Sequence, residues 1–175
     1  MNDPFELLGV EPKFALDLAD LENRHRELSR VLHPDRHVGA PASERRMALS
    51  RAIEVNEAFR VLRDPVRRAE ALLARRGVTI EEGRDKPADP LLLMELLELG
   101  ESISDARRAR DRVAIERKFS ELKARESASV SALGAALEAG DAGDRGAERA
   151  VKEIGMLRFT RRLLDEAALA LDELE

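Results

Sequence analysis

Leu28-Ser29-Arg30-Val31-Leu32-His33-Pro34-Asp35-Arg36 is the stretch on which the reading of this chain turns, because an amphipathic run ends there and meets a His-Pro-Asp triplet. Upstream, Leu18, Leu21, His25, Leu28 and Leu32 recur at three- and four-residue steps, the buried stripe of a helix capped by Asp17. Arg26 and Arg30 fall on the opposite, solvated side. Pro34 lacks the backbone N–H that would continue the helix, so His33 to Pro41, which includes Gly39, reads as a loop. Downstream, Ala48, Ala52, Val55, Phe59 and Leu62 step in the same way behind Ser43, the expected cap of a second long helix. Two long helices joined by a loop of about ten residues most simply form an antiparallel pair. The proline-fixed loop at its end then holds an imidazole and a carboxylate outward, and Asp35 is a ready partner for an arginine of another protein.

Working outward, Asp3-Pro4 is a cap followed by a first-turn proline, Phe5 and Leu8 share a face, and Gly9 ends a short helix. Asp64-Pro65 repeats the device after the pair and starts a helix running through Ala69, Leu72 and Leu73 to Gly77. Residues 1–76 are therefore expected to form a first domain with its connecting helix. Residues 77–89, with Gly83 and Pro87 among charges, read as a linker loop, and 90–175 as a second domain. Asp89-Pro90 opens that domain with a helix whose leucines from Leu91 to Leu99, with Met94, surround nearly its whole circumference, so it must be covered on more than one side. A further helix carries Ile115, Phe119, Leu122, Val130, Leu133 and Leu137. A Gly140 to Gly146 turn separates it from a last one with Ile154, Leu157, Leu164, Ala168 and Leu171. The expected fold is all-α: a helical hairpin with a short first helix, then a three-helix bundle.

Composition narrows the functions open to such a chain. Its 175 residues carry 30 basic and 35 acidic side chains, a net charge of −5 spread in both signs, which argues against a nucleic-acid binder. Arg107-Arg108-Ala109-Arg110 and Arg161-Arg162 read as solvated helix faces. Cysteine is absent, which removes disulfides, thiol catalysis and Cys-ligated metal centres. No apolar run approaches the roughly 18 residues of a membrane span, and Met-Asn-Asp-Pro lacks the character of a leader peptide, so a cytoplasmic location is expected.

The segment Phe5-Glu6-Leu7-Leu8-Gly9-Val10, the helix Leu18 to Leu32, the His33-Pro34-Asp35 loop and the closing helix with Asn56, Ala58 and Phe59 resemble a J-domain. Arg68-Ala69-Glu70-Ala71-Leu72-Leu73 after Asp64-Pro65, then Leu93-Met94-Glu95 and Leu157-Arg158-Phe159, extend the resemblance to the HscB (Hsc-twenty) family, J-type co-chaperones of iron–sulfur cluster assembly. The resemblance covers almost the whole chain. It implies a non-enzymatic protein with no cofactor or metal of its own. Its J-domain would stimulate ATP hydrolysis by a specialised seventy-kilodalton heat-shock chaperone of the HscA/DnaK type, and its C-terminal bundle would deliver a cluster scaffold protein of the IscU type. His33, Pro34 and Asp35 match the family loop, and Arg26 and Arg30 match basic positions of the preceding helix. With Arg36 these form the expected chaperone-binding set.

Leu93, Met94 and Leu97 lie at helical spacing on one surface, bordered by Glu98 and Glu101, so an apolar centre with an acidic rim can face a partner. In the resembled family this is the scaffold-binding face, and Phe159 contributes to it from the last helix. The competing reading buries these residues between bundle and J-domain. Two alternatives for function stay open on the sequence. One is a J-protein serving a general chaperone with another client. The other, from a different class, is a metal-dependent hydrolase built on His33, Asp35 and His37, although the only other histidine is His25 and no carboxylate is placed to complete the site.

Overall fold

Aspartates start three of the four α-helices of the N-terminal half. In a computed structural model describing residues 3–78, 80, 90–138 and 144–174, Asp3 accepts a hydrogen bond from the Phe5 N–H and opens α1 (Pro4–Leu8). Gly9, at φ +62°, closes it in the left-handed conformation that glycine tolerates. Asp17 caps α2 (Leu18–Val31) by accepting from the N–H groups of Ala19 and Asp20. Asp64 ends α3 (Ala42–Arg63) and, accepting from the Arg67 N–H, starts α4 (Pro65–Arg75). Each cap satisfies a donor that the first turn of a helix would otherwise leave without a partner. Ser43 does not cap α3: the helix begins one residue earlier, after Pro41, and has no side-chain cap.

The chain divides into two units, Met1–Gly77 and Val78–Glu175. In the first, α3 packs against α1, α2 and α4 around Phe5, Leu8, Leu21, Ala48, Val55, Ala58, Leu62 and Leu73, all buried. The stripe of α2 is only partly sunk into this core. Leu21 is fully buried, His25, Leu28 and Leu32 are half-buried, and Leu18, the first residue of α2, is exposed. Phe14 is buried in the loop between α1 and α2, and the buried Arg68 of α4 lays its guanidinium 4.9 Å from the centre of that ring. Burial pushes the Arg68 pKa down and the nearby Asp64 carboxylate opposes it.

The second unit consists of α5 (Pro90–Arg108), α6 (Arg112–Glu138) and α7 (Asp144–Asp172), with α6 and α7 paired along their length and α5 against both. Leu96, Leu99 and Ile103 of α5, Ile115 and Leu122 of α6, and Met156, Leu163, Leu164 and Ala167 of α7 form one core. Gly100 permits the close approach of α5 to α7, because a Cβ there would stand 3.1 Å from Leu163 Cδ2. Gly146, expected in a turn, lies inside α7, which already begins at Asp144. The rest of that turn, residues 139–143, and positions 79 and 81–89 of the expected linker, with Asp89, lie outside the described residues. Among the described residues there is no strand, and no helix is long and apolar enough to cross a membrane. The fold is all-α.

Candidate functional site

The hairpin of α2 and α3 is braced by polar contacts as well as by its core. The His25 ring stacks on Phe59 with centroids 4.2 Å apart and planes inclined by 13°, and its Nε2 lies 2.8 Å from Asn56 Oδ1. A stacked aromatic pair with its polar edge satisfied joins the middle of α2 to the last third of α3 and fixes the two helices against each other.

In the loop, His33 is extended at φ −61° and ψ 133°, and its Nδ1 accepts a hydrogen bond from the Asp35 N–H at 3.3 Å. It thereby caps a short 3-10 turn, Pro34–His37, whose first position is the proline. An accepting Nδ1 leaves the ring proton on Nε2, at the outer edge of the imidazole. The Asp35 side chain is 85 % exposed, with a carboxylate oxygen 3.5 Å from Nδ1, so it is free to accept hydrogen bonds from outside. His37 turns the other way: its Nε2 is 3.3 Å from the Val31 carbonyl, which ties the end of the turn back to α2. His33, Asp35 and His37 therefore do not converge. Among the described residues no group of three His, Asp or Glu side chains is arranged to hold a metal ion.

Arginines of the elements that flank this loop carry no neutralising partner among the described residues. Arg26 and Arg30 on α2, Arg36 in the turn, and Arg45 and Arg46 on the first turns of α3 are exposed and make no ion pair among the described residues. Elsewhere in the unit Arg24 pairs with Asp20, Arg60 and Arg67 with Glu57, and Arg75 with Asp3. A local excess of unpaired positive charge projects a field that the net charge of −5 conceals. Arg45 and Arg46 were not among the residues the sequence pointed to. Their signal was present as a basic pair beside Leu49 and Ile53, which repeat at four residues off the main stripe and are 53 % and 61 % exposed.

On α5 the leucine-rich stretch separates into faces. Leu96 and Leu99 enter the bundle core, Leu93 is half-buried, and Met94 and Leu97 are exposed with Glu98 and Glu101 beside them. Phe159 is half-buried against the core, with the Arg162 guanidinium 5.1 Å from its ring centre. Arg125 of α6 reaches Glu95 of α5 at 3.3 Å, and Arg161 of α7 reaches Glu126 of α6 at 2.9 Å.

Comparison with known proteins bears on both units. Residues 3–71 match the DnaJ domain, and residues 88–168 match the HSCB C-terminal oligomerisation domain. The chain is 36 % identical over 171 residues to a co-chaperone protein HscB homolog of Burkholderia multivorans, covering 98 % of this chain and 95 % of that one. It is 35 % identical over the same length to the homolog of Burkholderia vietnamiensis, with the same coverage. Among solved structures, chaperone HscB from Vibrio cholerae superposes with a TM-score of 0.87 at 29 % identity, covering 99 % of this chain and 100 % of that one. The human co-chaperone protein HscB gives 0.86 at 25 % identity, covering 97 % and 82 %.

Proposed function

We propose, from the premise that this chain belongs to the HscB family of J-domain co-chaperones, that it brings an iron–sulfur cluster scaffold protein of the IscU type to a seventy-kilodalton heat-shock chaperone of the HscA type. It also stimulates that chaperone's ATP hydrolysis. The family is one of non-catalytic J-proteins, and a J-domain implies such a chaperone as partner. The reading that goes further rests on one observation: a His33-Pro34-Asp35 loop capped by His33 stands on one unit, with Arg26, Arg30 and Arg36 exposed and unpaired on that same unit, while Met94 and Leu97 stand exposed on the other.

The steps follow from what these groups do chemically. The arginines attract an acidic chaperone surface at long range and set its approach. Asp35 accepts charge-assisted hydrogen bonds from a cationic side chain of the chaperone, and Pro34 and the His33 cap hold the carboxylate for that contact, so little ordering entropy is lost on docking. Stimulation means that these contacts are stronger in the hydrolysis-competent state of the chaperone than in its alternative, which shifts the population toward the first. On the second unit the apolar centre formed by Leu93, Met94 and Leu97 is buried by the scaffold, with Glu98, Glu101 and Phe159 around it. Holding both partners on one chain raises the effective concentration of scaffold near the chaperone.

The test is His33→Gln. Glutamine removes the ring that caps the turn, so stimulation of the chaperone's single-turnover ATPase should fall at least tenfold, while scaffold affinity measured by calorimetry should stay within twofold. Loss of both, or of neither, contradicts the division of labour.

A further inference from the structure

Sulfur enters this chain only as methionine: there are four methionines and no cysteine. Met1 lies outside the described residues. Met156 is buried in the core of the second unit, and Met47 is 65 % exposed near the start of α3 in the first. Met94 is 58 % exposed on α5, with Leu91 three residues before it and Leu97 three residues after it, 74 % and 51 % exposed. That spacing sets the three apolar side chains in one row, with Glu98 one turn beyond Met94. An oxidisable sulfur therefore stands in solvent at the centre of the face proposed for the scaffold.

A thioether has a reaction that the leucines beside it lack. Its lone pair takes one oxygen of a hydroperoxide such as hydrogen peroxide: the S–O bond forms, the O–O bond breaks, and the other oxygen leaves as water with both protons. Sulfur loses two electrons and the peroxide gains them. The product is a sulfoxide, a polar and chiral group in place of a flexible apolar one. Sunk into an apolar contact without a donor, the new oxygen carries the desolvation cost of an unsatisfied polar atom. Thiolates, which would otherwise take up the oxidant first, are absent from the chain, and Met156 is shielded by the core.

We propose that Met94 is an oxidation-sensitive switch in scaffold delivery, releasing the scaffold when a hydroperoxide converts it to the sulfoxide and binding it again on reduction. The inference rests on the function proposed above, since the face that loses its apolar centre is the one assigned to the scaffold. Leu91, Leu93 and Leu97 supply apolar area without redox chemistry, so Met94 is the position through which an oxidant acts on that face. The segment from His33 to Pro41 contains no sulfur. Oxidation at Met94 consequently separates the two contacts, leaving the one with the chaperone and withdrawing the one with the cargo.

The test treats the full-length chain with hydrogen peroxide, removes the oxidant, and reads the sulfoxide fraction at each methionine by peptide mapping in a mass spectrometer. Met94 and Met47 should oxidise at least fivefold faster than Met156. Scaffold affinity measured by calorimetry should fall at least tenfold in step with the fraction at Met94. It should return to within twofold of the untreated value after treatment with the two methionine sulfoxide reductases, one for each epimer. Met94→Gln, which fixes a polar group at the position, should weaken binding at least fivefold without peroxide. Met94→Leu is compared only with itself: treated and untreated samples should agree within twofold. Met47→Leu should stay as sensitive as the parent. In that variant, scaffold-free stimulation of the chaperone and helical circular dichroism should both survive treatment, which excludes unfolding as the cause of the lost affinity. Unchanged affinity with Met94 oxidised overturns the proposal, as does sensitivity that persists in Met94→Leu or disappears in Met47→Leu. If the untreated chain does not bind the scaffold, the function proposed above falls and the switch with it; if it binds and peroxide has no effect, only the switch falls.

Discussion

Glu126 shows how a single side chain ties the bundle to pH. It is largely withdrawn from solvent on α6, which by itself raises a carboxyl pKa, but hydrogen bonds and charge from Arg161 and Lys123 outweigh that and hold it below its ordinary value of 4.5. A depressed carboxylate pKa contributes stability that is complete above the unfolded value and disappears as pH falls through the folded one. Glu126→Gln should therefore be less stable than the parent to urea at pH 7, and the gap should close as the medium is acidified below 4.5. A gap that stays constant with pH would mean that the amide's packing, and not the lost charge, is responsible. Which of the many Glu–Arg pairs in the sequence would be shielded in this way was not readable from spacing. Lys123 lies three residues from Glu126, but Arg161 comes from another helix, and only the pairing of α6 with α7 brings it near. The proline stop at His33-Pro34-Asp35 is the opposite case, since proline geometry is local and the sequence alone placed it, although the cap made by His33 was not read there.

At the scale of the element, α5 presents the face proposed for the scaffold. Leu93→Ala/Leu97→Ala should weaken scaffold binding by an order of magnitude or more in calorimetry while the helical circular dichroism persists, because Leu97 is exposed and Leu93 only half-buried. Leu96→Ala is the control in the opposite sense: this side chain is fully buried, and its removal should cost about 2–5 kcal/mol of stability in urea. Collapse of helicity in the double variant would place those leucines in the core instead. The sequence showed a helix apolar on nearly every side; it did not show which side the bundle takes. Burial of Leu96, Leu99 and Ile103 and the Gly100 contact to Leu163 decide that, and the remaining faces follow by rotation around the helix. In α3, Ser43 has the chemistry of a cap, yet Pro41 ends the loop at φ −52° and ψ 149°, and the helix is already under way when serine is reached.

For the whole molecule, the proposed tethering has a consequence that neither unit has alone. His33→Gln spares the scaffold face and Leu93→Ala/Leu97→Ala spares the loop, so each variant retains one half of the activity. Mixed in equal amounts, the two should not restore scaffold-dependent ATPase stimulation above the level of the better variant, because the two contacts lie on different chains and the gain in effective concentration is lost. Recovery to the parent level on mixing would show that the contacts act independently and that the chain is not a bridge.

What the sequence determined by itself was whatever short-range chemistry specifies: the Asp-Pro helix starts, the left-handed Gly9, the proline-stopped helix before the loop, and the all-α class that follows from 3.6-residue periodicity without β-branched runs. The tertiary structure decided the rest, because it depends on which atoms meet across helices far apart in the chain. It stacked His25 on Phe59, left Leu18 in solvent, and turned Met94 and Leu97 outward while sinking Leu96. Periodicity marks an apolar face; only packing settles whether the protein keeps that face for its own core or presents it to a partner.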